Sequence, residues 1–380
     1  MKQKKEAKQT TPIADVSLVR CTSYKKKKVE KAVRKALKLI KFDPLNRTKV
    51  LLKPNIVALS QDKTKQIAIS THSSIVEAMC KILKENQCKI YIGESSFMDT
   101  DRSFKETGMD KIAKKYKAKL VIFEQEKLVK IKNPKNKIIK QFPVAKILKE
   151  MDYIIDLPKM KTHSLAHATL GIKNLYGLIP GGLKQRLHNK AHGEKFSHIL
   201  VDIYQNFPPH LTLMDGIIGM EGHGPTSGTK KKANLILASK NTIALDIAAS
   251  KIMDFKPREI PAIRFAIKRK LYPNYKFNLL GINKLPIIHF RKPWMKITLS
   301  RAKRMFKEKP IICDIEKCIK CGACAKHCPV KAIKLKPYPI IDKKKCIRCF
   351  CCMEICPTDA LQLGKFGDKM WKNCNQEKEK

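Results

Sequence analysis

No run of 18 or more apolar residues occurs in the 380 residues, so no membrane-spanning helix is expected. Met1 to Thr10 are polar and lysine-rich and lead into no apolar segment, which argues against a secretory signal; the expected location is the cytoplasm. Acidic residues are scarce, 33 against 80 Lys and Arg, for a formal charge of +47. Arginine is scarce within the basic set. That weighs against nucleic acid, because guanidinium is the group that reads phosphates and bases in bidentate fashion. The lysines lie in dispersed runs, such as Lys25 to Lys28 and Lys230 to Lys232, as solvated faces do. Three fingerprints are also missing. No G-x-G-x-x-G carries a strand into a helix, no G-K-[ST] marks a P-loop, and no Ser sits in G-x-S-x-G.

The chain does have a 43% hydrophobic content, enough for a core, and a length that suits one large domain plus a small one. It also has 14 cysteines. In a reducing compartment these point to metal rather than disulfides, and their spacing decides the matter. Cys318, Cys321, Cys324 and Cys328 form C-x2-C-x2-C-x3-C followed by Pro329; Cys346, Cys349, Cys352 and Cys356 repeat the pattern before Pro357. Steps of three let a tight loop aim three thiolates at three irons of one cubane, while the fourth cysteine leaves toward a neighbouring cluster. Structural zinc is the competing reading, but it explains neither the third cysteine of each run nor the two Cys-Pro pairs.

The repeat resembles the bacterial-type two-cluster ferredoxin over about residues 310 to 366. The resemblance implies two [4Fe-4S] clusters with crossed ligation: Cys318, Cys321, Cys324 and Cys356 on one, and Cys346, Cys349, Cys352 and Cys328 on the other. Phe350 and Cys351 stand where the first loop has Gly322 and Ala323, a departure from the small-residue pattern. Cys352 is preferred to Cys351 because it keeps the step of three. Val330 to Ile333 and Thr358 to Leu361 follow the two Cys-Pro pairs in parallel, and Ala332 to Ile341 reads as two short strands. Cys21 and Cys80 read as core residues and Cys374 as an exposed thiol.

Upstream, strand-like runs alternate with stretches whose apolar residues recur at steps of three and four. Val16 to Cys21, Val50 to Leu59, Lys89 to Gly93, Lys119 to Glu124, Tyr153 to Leu157, Leu211 to Met214 and Asn234 to Ser239 are the expected strands. Val29 to Ile40, Ser74 to Asn86, Met109 to Tyr116, His198 to Phe207, Thr242 to Met253 and Ile260 to Lys270 are the expected helices. The class is α/β with a mostly parallel sheet, whose ligand sites lie at the carboxyl ends of strands. Unusual residues gather there: Lys53-Pro54-Asn55, Gly93 to Ser96, Pro158 to His163, and Asp215-Gly216.

Lys53-Pro54-Asn55, Leu157 to His163, Gly171 to Gly177, and Met214 to Gly216 with Met220 to Pro225 resemble, in this order, the family called domain of unknown function 362, over about residues 45 to 255. Its members often carry a C-terminal two-cluster ferredoxin module, so the resemblance implies a fold and a cofactor and little chemistry. From residue types, Lys53, Lys159, Lys161 and Lys173 are expected to crowd one pocket, an arrangement that calls for an anion. Lys53, Asn55, Lys173 and Asn174 are the substrate-binding candidates. Lys159, Lys161, His163, Asp215 and Glu221 are the catalytic candidates, with His188, His192 and His198 as further proton donors, metal ligands or plain structural residues. Gly216, Gly219, Gly222 and Gly224 read as a loop that approaches a ligand.

The expected organisation is an α/β domain at 11–300, a basic linker at 301–309, the cluster domain at 310–366 and a polar tail at 367–380. The expected function is an iron-sulfur oxidoreductase of low-potential, anaerobic metabolism that exchanges electrons with a bound anion and a redox partner protein. Two alternatives stand beside it: an electron carrier whose α/β domain docks a partner enzyme, and a structural or regulatory cluster protein that binds nucleic acid.

Overall fold

The computed structural model describes residues 12–43, 46–60, 62–97, 99–181, 183–184, 187, 194–293, 311–328, 330–342, 345–346 and 351–363. Cys349, Phe350, Pro329, Cys374, His188, His192, the linker and the tail lie outside the described residues.

Among the described residues up to 293 there are twelve strands: β1 Asp15–Arg20, β2 Lys49–Pro54, β3 Lys89–Glu94, β4 Lys119–Ile122, β5 Leu128–Lys132, β6 Gln141–Ala145, β7 Tyr153–Leu157, β8 Lys159–His163, β9 His167–Thr169, β10 Leu211–Glu221, β11 Thr229–Ser239 and β12 Asn278–Leu280. All but the β5-β6 hairpin join one ten-stranded sheet of order β12-β1-β11-β10-β7-β2-β3-β4, with β8 paired to β10 and β9 to β8. The run from β10 to β4 is parallel throughout, and β11 is the antiparallel insertion. Val50, Leu51 and Leu52 of central β2 are all buried, as a strand covered on both faces requires. Within the parallel run, chain order rises outward in both directions from the β7-β2 pair, so the topological switch point lies between them, at the carboxyl ends where Lys53 faces Asp156.

Helices cover both faces. On one side lie α1 Lys26–Leu39, α3 Ser73–Glu85 and α5 Met109–Tyr116, which bury Val29, Val33, Ile75, Met79 and Ile112 against the sheet. On the other lie α7 Lys195–Asn206, α8 Thr242–Ile252 and α9 Pro261–Lys268, with Phe196, Ile199, Ile243, Ile247 and Ile263. These are the helices expected from apolar spacing, with ends moved by a few residues. Two short helices were not anticipated: α2 Lys63–Ile69 and α4 Thr100–Glu106. Each starts on an aspartate. Asp62 accepts from the Thr64 and Lys65 N–H groups, and Asp99 from that of Arg102. The single turn α6 Gly171–Asn174 is anchored by Asp246, which accepts from the Gly171 and Ile172 N–H groups at 2.7 and 2.9 Å.

The glycine-rich stretch differs from expectation. Gly216 and Gly219 lie inside the long strand β10, not in a loop, and β8 runs beside that strand's outer half, pairing Lys159 with Asp215 and Lys161 with Met220. A Cβ on Gly219 would come within 2.5 Å of the Met160 carbonyl oxygen, and one on Gly224 would land on that of Thr162. The glycines therefore let backbone approach backbone rather than ligand.

The cysteine-rich end has β13 Ile311–Cys313 paired with β16 Leu361–Leu363, the hairpin β14 Ile333–Lys336 and β15 Tyr338–Ile341, and the short helices α10 Ala323–Lys326 and α11 Cys351–Ile355. Ile311, Ile333, Ala360 and Leu361 form its small core.

Candidate functional site

Asp215 of β10 is the centre of one buried network. Its Oδ2 accepts from Lys159 Nζ at 2.8 Å and from the His72 N–H at 3.0 Å; its Oδ1 accepts from Tyr24 Oη at 2.8 Å and the Ile217 N–H at 3.2 Å. Lys159 Nζ also donates to Tyr24 Oη at 2.8 Å. Lys159 and Asp215 have no solvent exposure. Burial lowers the Lys159 pKa, with Asp215 opposing the shift. The Tyr24 ring stacks on the His72 imidazole, centroids 3.8 Å apart. His72 Nδ1 accepts from the Ser74 N–H that opens α3, so the neutral ring carries its proton on Nε2. Burial is the main reason that the His72 pKa falls to about 4.

A second network occupies the switch point. Lys53 Nζ donates to Glu94 Oε2 at 2.5 Å and to its neighbour's carbonyl, Pro54, at 2.8 Å. Asn55 Nδ2 donates to Asn174 Oδ1, and Asn174 Nδ2 donates to Asp156 Oδ1, both at 2.7 Å. Asp156 is fully buried, and burial raises its pKa well above the ordinary carboxylate value, with Lys53 and Asn174 opposing the shift. Lys173 lies over the rings of Tyr176 and Phe196, at 5.1 and 5.5 Å.

The expectation of one lysine-crowded pocket is thus corrected. Lys53 and Lys159 each have a buried carboxylate, and Lys161 donates to the Ile69 carbonyl at 2.7 Å. Lys53 and Lys159 thus anchor two separate networks. Asn55 and Asn174 join Lys53, and Asp215 joins Lys159. His163 closes the turn after β8, its Nδ1 accepting from the Leu165 and Ala166 N–H groups. Glu221, at the far end of β10, accepts from the Arg291 N–H and sits 3.4 Å from Lys231 Nζ, apart from both networks. His198 stacks on Phe265 and meets Arg269.

A cavity of about 950 Å³ opens above the Asp215 network. Thr71, His72, Lys63, Arg102, Lys105 and Lys111 line one side, and Ile319, Cys321, Ala323 and Pro357 line the other. Residues from the two unanticipated helices α2 and α4 form much of its wall. Lys65 of α2 donates to the Asp359 carboxylate, tying the cysteine-rich end to this face.

Cys318, Cys321, Cys324 and Cys356 together line a small cavity. Among the described residues no three His, Cys, Asp or Glu side chains close on a point as they would around a single ion. Burial first, and then the neighbouring thiols, push Cys324 up to about 11, so four thiolates here need a cationic centre among them. The backbone supports the same donor set. The Ala332 N–H donates to Cys328 Sγ at 3.2 Å and the Ala360 N–H to Cys356 Sγ at 3.1 Å, two equivalent bonds in the two repeats. Lys331 and Asp359 take matching left-handed conformations, φ 50 and 55. Gly322 opens the first helix at φ 71, a conformation that suits glycine. Cys352 packs in the core that holds these sulfurs. The residues fit the clusters.

The family described as domain of unknown function (DUF362) matches residues 50–251, more than half of the chain. The chain belongs to this family. A 4Fe-4S dicluster domain matches residues 317–360, so this DUF362 protein carries a ferredoxin-like iron-sulfur module. A thylakoid-associated protein of Synechocystis sp. is 28% identical over 262 residues, 66% of this chain and 78% of that one. Among solved structures, the lactate racemase apoprotein of Thermoanaerobacterium thermosaccharolyticum has a TM-score of 0.37 at 12% identity, covering 62% of this chain and 55% of its own. A Thermotoga maritima protein has a TM-score of 0.33 at 12% identity, covering 53% and 52%. This chain thus spans little more than half the length of either structure. Among the described residues no helix is long and apolar enough to cross a membrane.

Tyr24, His72, Asp156 and Lys184 were not singled out in the DUF362 sequence. Thr71-His72-Ser73-Ser74 before an apolar helix was a capping signal that could have drawn attention to His72. Tyr24 had none, since its partner is 191 residues away.

Proposed function

We propose that the chain is an iron-sulfur oxidoreductase that exchanges electrons with an anionic small molecule held between the Cys321 loop and the face formed by α2, α4 and the start of α3. The supporting observation is the cavity itself, which has a cysteine of the first run in one wall and Lys63, Arg102, Lys105 and Lys111 in the other, with Glu106 as the one acid among its lining residues. Cys318, Cys321, Cys324 and Cys356 hold one cluster in this reading, and Cys346, Cys349, Cys352 and Cys328 the other. Bound clusters supply one-electron transfer. The protein's own residues do the rest. The basic side chains draw in and orient the anion, and His72, kept neutral by burial, offers its Nε2–H as a hydrogen-bond or proton donor at the cavity floor. Asp215 fixes that imidazole through the His72 backbone N–H and through Tyr24. The α/β part at 11–300 and the cluster part at 310–366 act as two units, in a reducing compartment such as the cytoplasm.

The exposure of Cys321 favours a second reading, in which a redox partner's acidic segment enters the cavity and the chain is a carrier. One experiment separates these. Anaerobically purified full-length chain should hold about eight irons and eight sulfides. Dithionite-reduced samples are then recorded by electron paramagnetic resonance with and without pyrophosphate as the probe anion. The oxidoreductase reading expects a spectral change in wild type that the Arg102→Ala/Lys111→Ala variant loses. Zinc without acid-labile sulfide would sink both readings, and a spectrum indifferent to the anion would leave the carrier.

A further inference from the structure

A smaller crevice lies at the carboxyl ends of β2 and β3, on the other side of the Asn55-Thr71 backbone pair from the large cavity. Lys173, Lys184, Asn55, Asn174, Ser95 and Glu94 are among the residues that line it. Two of its polar atoms, Asn55 Oδ1 and Ser95 Oγ, are buried without a hydrogen-bond partner among the described residues, and their residues are only 3% and 1% exposed. Such atoms are costly to leave unmatched. The orientation of Asn55 is fixed by the chain of amides. Asn174 Nδ2 is committed to Asp156 and to the Lys53 carbonyl, so Asn174 Oδ1 must accept and Asn55 Nδ2 must donate. Asn55 Oδ1 therefore waits for a donor, and Ser95 Oγ can donate to an acceptor. Around them the charge is positive: Lys173 and Lys184 line the crevice, and the one acid there, Glu94, is already paired with Lys53.

The space amounts to about 30 Å³. That is small beside the large cavity, so the crevice suits an ion of a few heavy atoms better than a nucleotide or sugar phosphate.

We propose that this crevice is a second ligand site, for a small oxyanion that carries an O–H, hydrogencarbonate being of that size and kind. Its ionised oxygens face Lys173 and Lys184 and accept from Ser95 Oγ–H, and its O–H donates to Asn55 Oδ1. Ligand sites outside the carboxyl ends of strands in a parallel sheet are the general rule, and the arms of this one, Asn55 and Ser95, follow directly on β2 and β3. The site is separate from the cavity beside Cys321 and stands whether or not that cavity holds a substrate.

The test is thermal unfolding of the full-length, cluster-loaded chain under anaerobic conditions near neutral pH, titrated with hydrogencarbonate and, at matched ionic strength, with formate. Hydrogencarbonate should raise the melting temperature saturably, since a ligand that binds only the folded state stabilises it. Formate, which lacks the O–H, should need about tenfold higher concentration, the value of one lost hydrogen bond. Ser95→Ala removes a hydroxyl that bonds nothing among the described residues, so it should keep its ligand-free melting temperature while its hydrogencarbonate midpoint rises about tenfold. Arg102→Ala/Lys111→Ala should leave the titration unchanged. Equal shifts from formate and hydrogencarbonate, or an unaltered titration in Ser95→Ala, would overturn the proposal. A titration lost only in the Arg102/Lys111 variant would move the binding to the large cavity and overturn it as well.

Discussion

Asp215→Asn is the sharpest single perturbation of the buried Lys159 network. The substitution keeps the shape of the side chain and removes its charge. The new amide oxygen can still accept from Tyr24 and Ile217, but an NH₂ group then faces Lys159 Nζ and the His72 N–H, both donors that Asp215 Oδ2 now receives at 2.8 and 3.0 Å. Lys159 is left as an uncompensated buried cation, a defect worth about 3–5 kcal/mol. That is a large part of a typical stability of about 5–15 kcal/mol. Lys159→Met should cost less, because Asp215 keeps three hydrogen-bond donors, Tyr24 Oη and the His72 and Ile217 N–H groups. In the double variant the unpaired ammonium is gone, so the combined loss should fall short of the sum by about 2 kcal/mol or more. Urea unfolding followed by far-ultraviolet circular dichroism, kept anaerobic, measures all four corners of the cycle. The pH dependence adds a check of sign. Burial already lowers the Lys159 pKa from 10.5, and without Asp215 nothing opposes it. The unfolded chain then binds the proton that the folded one has lost, so Asp215→Asn should regain stability relative to wild type as pH rises toward 10.5. Additive losses within about 0.5 kcal/mol, or a Lys159→Met variant weaker than Asp215→Asn, would refute the assignment of the pair.

Three further outcomes follow from single contacts. Gly177→Ala places a Cβ on Glu94 Oε1 and Lys53 Nζ, so it should break or displace that buried pair, destabilise the fold by about 3 kcal/mol or more on urea unfolding, and be eased by Lys53→Met. His72→Asn keeps a good cap for α3 but removes a group whose folded pKa, about 4, lies below its ordinary 6.5. Wild type should lose up to about 3 kcal/mol of stability as pH falls from 6.5 to 4, where the unfolded chain takes up the proton first, and the variant should lack that slope. Lys65→Glu should repel Asp359, and Asp359→Lys in the same chain should restore the contact. Because both side chains are partly exposed, the stability effect should stay below about 1 kcal/mol, and the readout is instead the spectrum of the reduced clusters.

The α/β class and the main helices were legible because their signal is local. Val29, Val33, Ala36 and Leu37 recur at helical spacing, and Val50-Leu51-Leu52 is the apolar run of a strand buried on both faces. The cysteine runs were legible because ligand spacing is itself a local pattern. Strand β8 was not, since Lys159, Lys161, Thr162 and His163 look like a solvated loop until Asp215, 56 residues away, neutralises the first of them. The same distance hid the division of the lysines. Glu94 meets Lys53 across 41 residues, and no periodicity in one segment reports a partner in another. The glycines in and just after β10 misled for a related reason: an empty side chain was read as room for a ligand, when at Gly219 and Gly224 it was room for the Met160 and Thr162 carbonyls. Helices α2 and α4, seven residues each, were too short for a periodic signal, although Asp62 and Asp99 marked their starts.

Charge that reads as a single surplus in composition has several distinct fates in the fold. Lys53 and Lys159 are cancelled at close range by carboxylates, and in a setting without water those pairs fix geometry more than they add stability. Lys173 and Lys184 lie against aromatic faces, which attract a cation without discharging it. Lys63, Arg102 and Lys111 stay exposed on the wall opposite Cys321, where salt screens them and they attract anions chiefly through the rate of encounter. An incoming anion thus meets screened charge at the mouth of the large cavity, whereas charge in the crevice by Lys173 and Lys184 is screened much less. Raising the salt concentration should therefore weaken pyrophosphate at the first site far more than hydrogencarbonate at the second. The two salt slopes, measured on the same wild-type chain and taken per unit of anion charge because pyrophosphate carries more charge than hydrogencarbonate, report the depth of each site without any mutation; equal slopes on that basis would mean that both anions are held at one exposed surface.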